Sequence, residues 1–258
     1  MSRRTFLPAL CLGASALAAS GLIHADSNDR PPVLEKLAAH GVTIMDAFDA
    51  GDGLQGFAGV TNQQPVAVYV TSGGDAIVGT RIDADGNARD AKRLQELVTR
   101  PLGEQTWAKL ESAHWVRDGD INAPRVVYTF SDPNCPYCNR LWQAARPWVE
   151  SGKVQLRHVM VGVIRQDSAA KAATILGAKD PGAKLVENES RFAEGGVAAA
   201  SSVSAQIRQR LDANQRLMTE LGFRGTPALM FRDQEGIVQR RSGMPQGADL
   251  DAVMGPGQ

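Results

Sequence analysis

Four consecutive residues, Cys135-Pro136-Tyr137-Cys138, offer the clearest chemistry in this sequence. Two cysteines separated by two residues can close a small disulfide ring and reopen it. The nucleophile in such an exchange is the thiolate, so one of the two thiols must have a depressed pKa. The flanking residues supply a means. Val126-Val127-Tyr128-Thr129-Phe130 reads as a strand buried on both faces, and Ser131-Asp132-Pro133-Asn134 reads as a turn. Pro136 then stands at the first position of a helix, which proline favours. Unpaired N–H groups and the dipole at a helix start favour negative charge on Cys135. Cys138, one turn deeper, is expected to be less exposed. Cys135 should therefore attack and Cys138 should resolve the mixed disulfide.

The spacing alone leaves alternatives. A lone CxxC is also half of a zinc site, which needs about four ligands. Beyond residue 25 the chain offers His40, His114 and His158 but no second CxxC and no paired histidines, so no metal is expected. Two purely structural thiols are another reading. Far downstream, Thr226-Pro227 precedes an apolar run, and a proline there can be a simple strand boundary.

Elements of two kinds must position these residues. Residues 31–88 read as a small α+β unit. It has a short helix opening on Pro31-Pro32, then strands over 54–61, 65–71 and 76–82 separated by turn signals. So small a unit forms only a marginal core. The run 65–71 is apolar on both faces and reads as an edge that pairs with a second copy. Residues 89–113 are polar and helix-prone, with a narrow apolar stripe, and read as a helical connector interrupted at Pro101-Leu102-Gly103. From Val126 the pattern is strand, helix, strand, a right-handed βαβ unit. Residues 165–221 read as largely helical, with Gly222 placed to end the last helix. A hairpin over 228–241 and a short helix over 248–254 close the chain.

The N-terminus reads as a signal peptide over residues 1–25. Arg3 and Arg4 precede an uncharged apolar stretch over 6–23, and a small residue, Ala25, precedes a polar run. The apolar part is shorter than the ~20 residues a membrane span needs. Ser2-Arg3-Arg4-Thr5-Phe6-Leu7 resembles a twin-arginine signal, so the export route stays open. Of 258 residues, 28 are basic and 28 acidic. Without residues 1–25 the chain carries 26 basic and 28 acidic residues, net −2, and loses Cys11, leaving Cys135 and Cys138. No basic run offers a footprint for nucleic acid. An exported chain of this size with two cysteines does not use disulfides as a framework.

Several segments together resemble a known family. They are Phe130-Ser131-Asp132-Pro133-Asn134-Cys135-Pro136-Tyr137-Cys138, Ala144-Ala145-Arg146-Pro147-Trp148-Val149, Ser151-Gly152-Lys153-Val154-Gln155-Leu156, Val161-Gly162-Val163-Ile164 and Lys179-Asp180-Pro181. With the Leu221-Gly222 run before Thr226-Pro227, they look like the DsbC/DsbG family of periplasmic disulfide isomerases. The Pro-Tyr pair and the lack of other mature cysteines favour its DsbG branch. The resemblance covers nearly all of the chain beyond the signal peptide and is strongest over 114–258. It implies an α/β thioredoxin fold with a helical insertion at about 165–221, spanning 114–258. A cystatin-like dimerisation domain over 26–88 and a linker helix over 89–113 would precede it. It further implies a V-shaped periplasmic homodimer, with isomerase or reductase activity on misoxidised proteins and reduction of cysteine sulfenic acids. A chaperone-like cleft, the membrane reductase DsbD as electron donor and no separate cofactor are implied too. The proline of Thr226-Pro227 would be cis beside the cysteines, with Thr226 facing Cys135, and Pro136 and Tyr137 would support the site. A disulfide-donating oxidant and a non-enzymatic holdase are the competing functions.

Overall fold

The first element follows from Pro32, whose fixed φ suits the opening turn of a helix. In the computed structural model, which describes residues 30–256, α1 (Pro32–Ala39) buries Leu34 against Val42, Phe57, Val68 and Val70. The expected signal peptide, its twin-arginine pattern and Cys11 lie outside the described residues. Four antiparallel strands follow in chain order: β1 (Thr43–Asp49), β2 (Gln55–Thr61), β3 (Gln64–Val70) and β4 (Ala76–Val78). β1 is absent from the sequence reading. Its residues are exposed or half-buried, and Asp46 and Asp49 break any apolar alternation.

One expectation fails here. The run 65–71 is not an edge, because β3 pairs with β2 along its length and with β4 through Val68, Tyr69 and Val70. Its apolar character on both faces reflects burial inside the sheet. The outer strands are β1 and β4, and β4 leaves Ile77 and Val78 exposed, with Ile82 close behind in sequence.

The connector is continuous, and this too differs from the expectation. α2 (Ala91–Leu94), a π-helical turn (Gln95–Thr99) and α3 (Arg100–Glu111) run on without a break. Proline lacks an N–H and crowds the carbonyl four residues back. The wider turn, closed by Arg100 N–H on Gln95 O, admits Pro101 without ending the helix. The helix is also more than a spacer. Trp107 and Leu110 sink into the core beside Tyr128, Phe130 and Met230, each contributing on the order of 2 kcal/mol by burial.

The second sheet contains β5 (Trp115–Asp118), β6 (Arg125–Ser131), β7 (Val154–Met160), β8 (Ala228–Arg232) and β9 (Val238–Ser242). Their order is β5-β7-β6-β8-β9, with β6 and β7 parallel and the other pairs antiparallel. That is the thioredoxin fold. α4 (Pro136–Glu150) covers one face through Leu141, Ala145 and Trp148, and α8 (Ala248–Met254) adds Val253 and Met254. Between β7 and β8 lie α5 (Ser168–Leu176), α6 (Pro181–Ser190), a short 3-10 turn and α7 (Ala205–Glu220). α7 ends as its sequence dictates. Gly222 has φ +73°, its N–H reaches Thr219 O, and Phe223 N–H reaches Met218 O. That paired arrangement satisfies the last carbonyls of a helix.

Candidate functional site

β6 delivers the chain to the start of α4, and Cys135 sits at the junction as the N-cap, with φ −83° and ψ 113°. Its sulfur accepts the Cys138 N–H at 3.3 Å, satisfying a donor of the first helical turn that has no partner within the helix. Pro136 occupies the first position, where the missing N–H costs nothing. The same sulfur lies 3.3 Å from Thr226 O, to which its thiol donates across 91 residues of sequence. The Thr226–Pro227 peptide bond is cis.

These contacts split the two thiols. A hydrogen bond from the Cys138 side chain is the largest cause lowering Cys135, burial opposes it, and the Thr226 hydroxyl and the Cys138 and Tyr137 amides add to the lowering. The result is a pKa of about 6. Burial, then the proton held against the Cys135 sulfur, pushes Cys138 well above the ordinary thiol value. The Thr226 hydroxyl is buried with no other partner among the described residues, so it is available to both sulfurs. By accessible surface the two are alike, Cys135 at 2% and Cys138 at 3% exposed, while burial acts more strongly on Cys138. Both are free thiols. Proton affinity separates them, because each sits differently toward the helix start.

The turn before Cys135 is held by a residue the sequence reading passed over. Asp132, 1% exposed, accepts from Asn134 N–H (2.9 Å), Ser168 Oγ (2.8 Å), Val163 N–H (2.6 Å) and Ile164 N–H (2.9 Å). It thereby ties the turn to the segment after β7. Asn134 extends the tie, donating to Asp167 and Ser168 and accepting from Lys171 Nζ. The one signal in sequence is an Asp-Pro pair in a turn, which does not reveal four distant donors. Around the thiols the surface is apolar in part: Tyr137 is 54% exposed, and Val163 and Ile164 are also exposed. Arg140 lies over the Tyr137 ring at 5.3 Å. A separate cavity of about 440 Å³ opens between the β2–β3 turn, α3 and β9, and no cysteine lines it. Among the described residues no cluster of three or more His, Cys, Asp or Glu could hold a metal.

A dithiol at the start of the helix after the central strand of this sheet defines the class: thioredoxin-fold thiol–disulfide oxidoreductases. A thioredoxin-like domain family matches residues 120–257. Thiol:disulfide interchange protein DsbG of Pseudomonas aeruginosa is 41% identical over 231 residues, covering 89% of this chain and 90% of that protein. DsbG of Escherichia coli is 36% identical over 230 residues, covering 89% and 93%. Helicobacter pylori DsbG, a solved structure, aligns with 78% of this chain and 98% of its own at 20% identity and a TM-score of 0.39. The chain belongs to the DsbG family of thiol:disulfide interchange proteins, and it is a protein thiol–disulfide oxidoreductase.

Proposed function

We propose that Cys135 and Cys138 are the redox-active pair of a periplasmic disulfide isomerase and reductase that also reduces cysteine sulfenic acids. The observation that carries this reading is the split between the thiols: Cys135 is lowered to about 6 while Cys138 is raised. A protein built to attack a client disulfide needs the first ionised and the second still protonated until the mixed disulfide forms. The thiolate of Cys135 attacks a client sulfur, and the other client sulfur leaves. Cys138 then attacks Cys135, the Cys135–Cys138 disulfide forms, and the client departs reduced. In isomerisation a client thiol displaces Cys135 instead. On a sulfenic acid Cys135 displaces hydroxide, and Cys138 closes the same disulfide. A membrane reductase of the DsbD kind would restore the dithiol. Pro136 and Tyr137 shape the helix start, and Thr226 and Pro227 present backbone to an extended client. The apolar rim of Tyr137, Val163 and Ile164 suits exposed core segments of a misfolded client, the basis of chaperone-like binding.

The test is a Cys138→Ala variant incubated with a scrambled disulfide protein. It should accumulate mixed disulfides through Cys135 on a non-reducing gel, and Cys135→Ala should not. Equal trapping by both variants would reverse or remove the assignment. Thiol alkylation in cells separates an isomerase, whose pair is reduced, from an oxidant, whose pair is a disulfide. A holdase would keep full client protection without Cys135.

Residues 26–88 are assigned to dimerisation, 89–113 to the linker and 114–258 to catalysis, after export by a signal peptide over 1–25. With β3 internal, the pairing edge is assigned to β4. Its strand is short, and Ile77, Val78 and Ile82 present apolar surface at 46–58% exposure. An unpaired, apolar strand edge is a template for another chain. Ile77→Lys should convert a particle of twice the chain mass into a monomer by light scattering, while thiol titration stays unchanged. A dimer that survives Ile77→Lys and Val78→Lys together would place the interface elsewhere.

A further inference from the structure

The chain as a whole is balanced in charge, with 28 basic and 28 acidic residues, but the surface around Cys135 is not. Three arginines stand there on three separate segments: Arg140 on α4, Arg165 between β7 and α5, and Arg224 between α7 and β8. All three are exposed, and none forms an ion pair among the described residues. The backbone ties each of them to the thiol. Arg224 stands two residues before Thr226, whose carbonyl lies 3.3 Å from the Cys135 sulfur, so at most about 7 Å of chain separates those two residues. The Arg140 guanidinium lies 5.3 Å from the ring centroid of Tyr137, between the two cysteines. Arg165 follows Ile164, whose N–H donates to the Asp132 carboxylate at 2.9 Å. The Arg165 N–H donates to Ser168 Oγ, which donates to the same carboxylate. The backbone carbonyl of Asp132 accepts the Cys135 N–H at 3.0 Å.

The acids nearby do not cancel them. Asp132 is buried beneath its four donors. Asp167 is paired with Lys171 at 3.5 Å and accepts from Asn134. Glu189 is buried on α6 among Asn139 and Asn188, and burial pushes its carboxyl up toward the neutral form. Even with Glu189 counted, Lys171 and the three arginines outnumber these carboxylates, and the excess lies on the exposed side. An exposed guanidinium is a planar fork that takes a carboxylate with two parallel hydrogen bonds. Beside it, Tyr137, Val163 and Ile164 supply apolar surface. The site is therefore complementary to a segment that mixes apolar and acidic side chains.

We propose that Arg140, Arg165 and Arg224 form a cationic collar that selects client cysteines flanked by Asp or Glu. The proposal rests on the reading of Cys135 as the attacking thiol and adds the class of client that this thiol meets. The collar draws an acidic segment to the site and sets its register, so the client sulfur is presented to Cys135. The exchange itself is unaltered. The bond between Cys135 and one client sulfur forms, the client disulfide breaks, and the other client sulfur leaves with the electron pair as a thiolate. That departing charge is of the sign the arginines favour. The largest causes that set the Cys135 pKa are hydrogen bonds and burial, so recognition by the collar and activation of the nucleophile are separable.

Two peptides test this with the full-length dithiol protein. They share one sequence with a single cysteine, carried as a mixed disulfide with a neutral thiopyridyl group, and differ only in Asp or Lys on both sides of it. Release of thiopyridine reports attack by Cys135. At 10 mM ionic strength, where charges act over about 30 Å, the Asp peptide should react about tenfold faster or more. At 1 M, where the reach is about 3 Å, the two rates should converge to within about twofold. In the triple variant Arg140→Gln, Arg165→Gln, Arg224→Gln the low-salt ratio of the two rates should fall to about one, and in the matching triple Glu variant it should invert. Equal rates for the two peptides at low salt, a ratio that survives 1 M salt, or a triple Gln variant that keeps the wild-type ratio overturns the collar. Release that persists in Cys135→Ser would instead overturn the assignment of the attacking thiol.

Discussion

Replacing Cys135 with serine should lower the rate of disulfide exchange at pH 7 by about a thousandfold or more, the scale on which loss of a covalent nucleophile is felt. The wild-type attack rate should rise with pH through a midpoint near 6, because the Cys135 thiol is lowered to about 6. At pH 7 roughly nine-tenths of it is then thiolate, against a few per cent for a free cysteine. The hydrogen bond from Cys138 is the largest cause of the lowering, so Cys138→Ala should move the midpoint upward while leaving attack intact. Ultraviolet titration of the thiolate and the pH dependence of alkylation give the same midpoint independently. A wild-type midpoint at the free-thiol value of ~8.5 would sink the account of the helix start.

The same shift has a consequence for stability. A depressed folded-state pKa means that the unfolded chain binds more protons between about 6 and ~8.5, so stability rises with pH across that window and is lost as pH falls through 6. Cys138 acts with the opposite sign, because its raised pKa makes the folded state hold a proton longer above the free-thiol value. Reduced protein should therefore be most stable near about pH 8, and oxidised protein, lacking both titrations, should show neither slope. Denaturant midpoints of the two forms from pH 5 to 9 would display the difference.

Asp132→Ala should produce the largest structural loss. Four donors converge on one carboxylate that is 1% exposed. Removing it leaves four buried or half-buried groups without their acceptor, at about 1–3 kcal/mol for each that water cannot reach. A net destabilisation of about 3–5 kcal/mol is expected, the range for breaking a buried charged network. Asp132→Asn keeps the shape and one acceptor oxygen, so it should recover about half of that. The effect should extend beyond stability. Asp132 fixes the turn that aims Cys135 and holds Val163 and Ile164 beside it, so surviving Asp132→Asn protein should attack small disulfides normally but bind unfolded clients more weakly. Urea unfolding measures the first effect and aggregation suppression the second. A loss below about 1 kcal/mol for the alanine variant would show that the donors find water, and that the turn is held by Asn134 and Lys171 instead.

The parts of this protein written in short-range rules were legible without its structure. Cys135 as N-cap and Pro136 behind it follow from which residues tolerate a helix start. The Gly222 ending of α7 follows from which residue accepts positive φ. The long apolar strands β6 and β7 and the hairpin of β8 and β9 follow from periodicity and turn residues. Each of these is decided within about one turn or one pleat of the residue concerned.

What escaped the sequence depends on partners far along the chain. β1 has no apolar alternation and exists because β2 offers it a backbone to pair with. β3 looked like a sticky edge because burial on both faces and exposure at an interface require the same residues, and only β4 decides between them. Trp107 and Leu110 gave α3 a stripe too narrow to identify, and the sheet face beneath them made it part of the core. The thiol split was half legible: the helix start is local, but the Thr226 carbonyl and hydroxyl arrive from 91 residues away. Asp132 carried no recognisable motif, because a side chain becomes a hub through the distances to its partners. The sequence by itself determined where the two thiols stand and that a helix begins at the first of them. The tertiary structure decided what surrounds that thiol, since burial and hydrogen-bond partners are properties of packed strands and helices together.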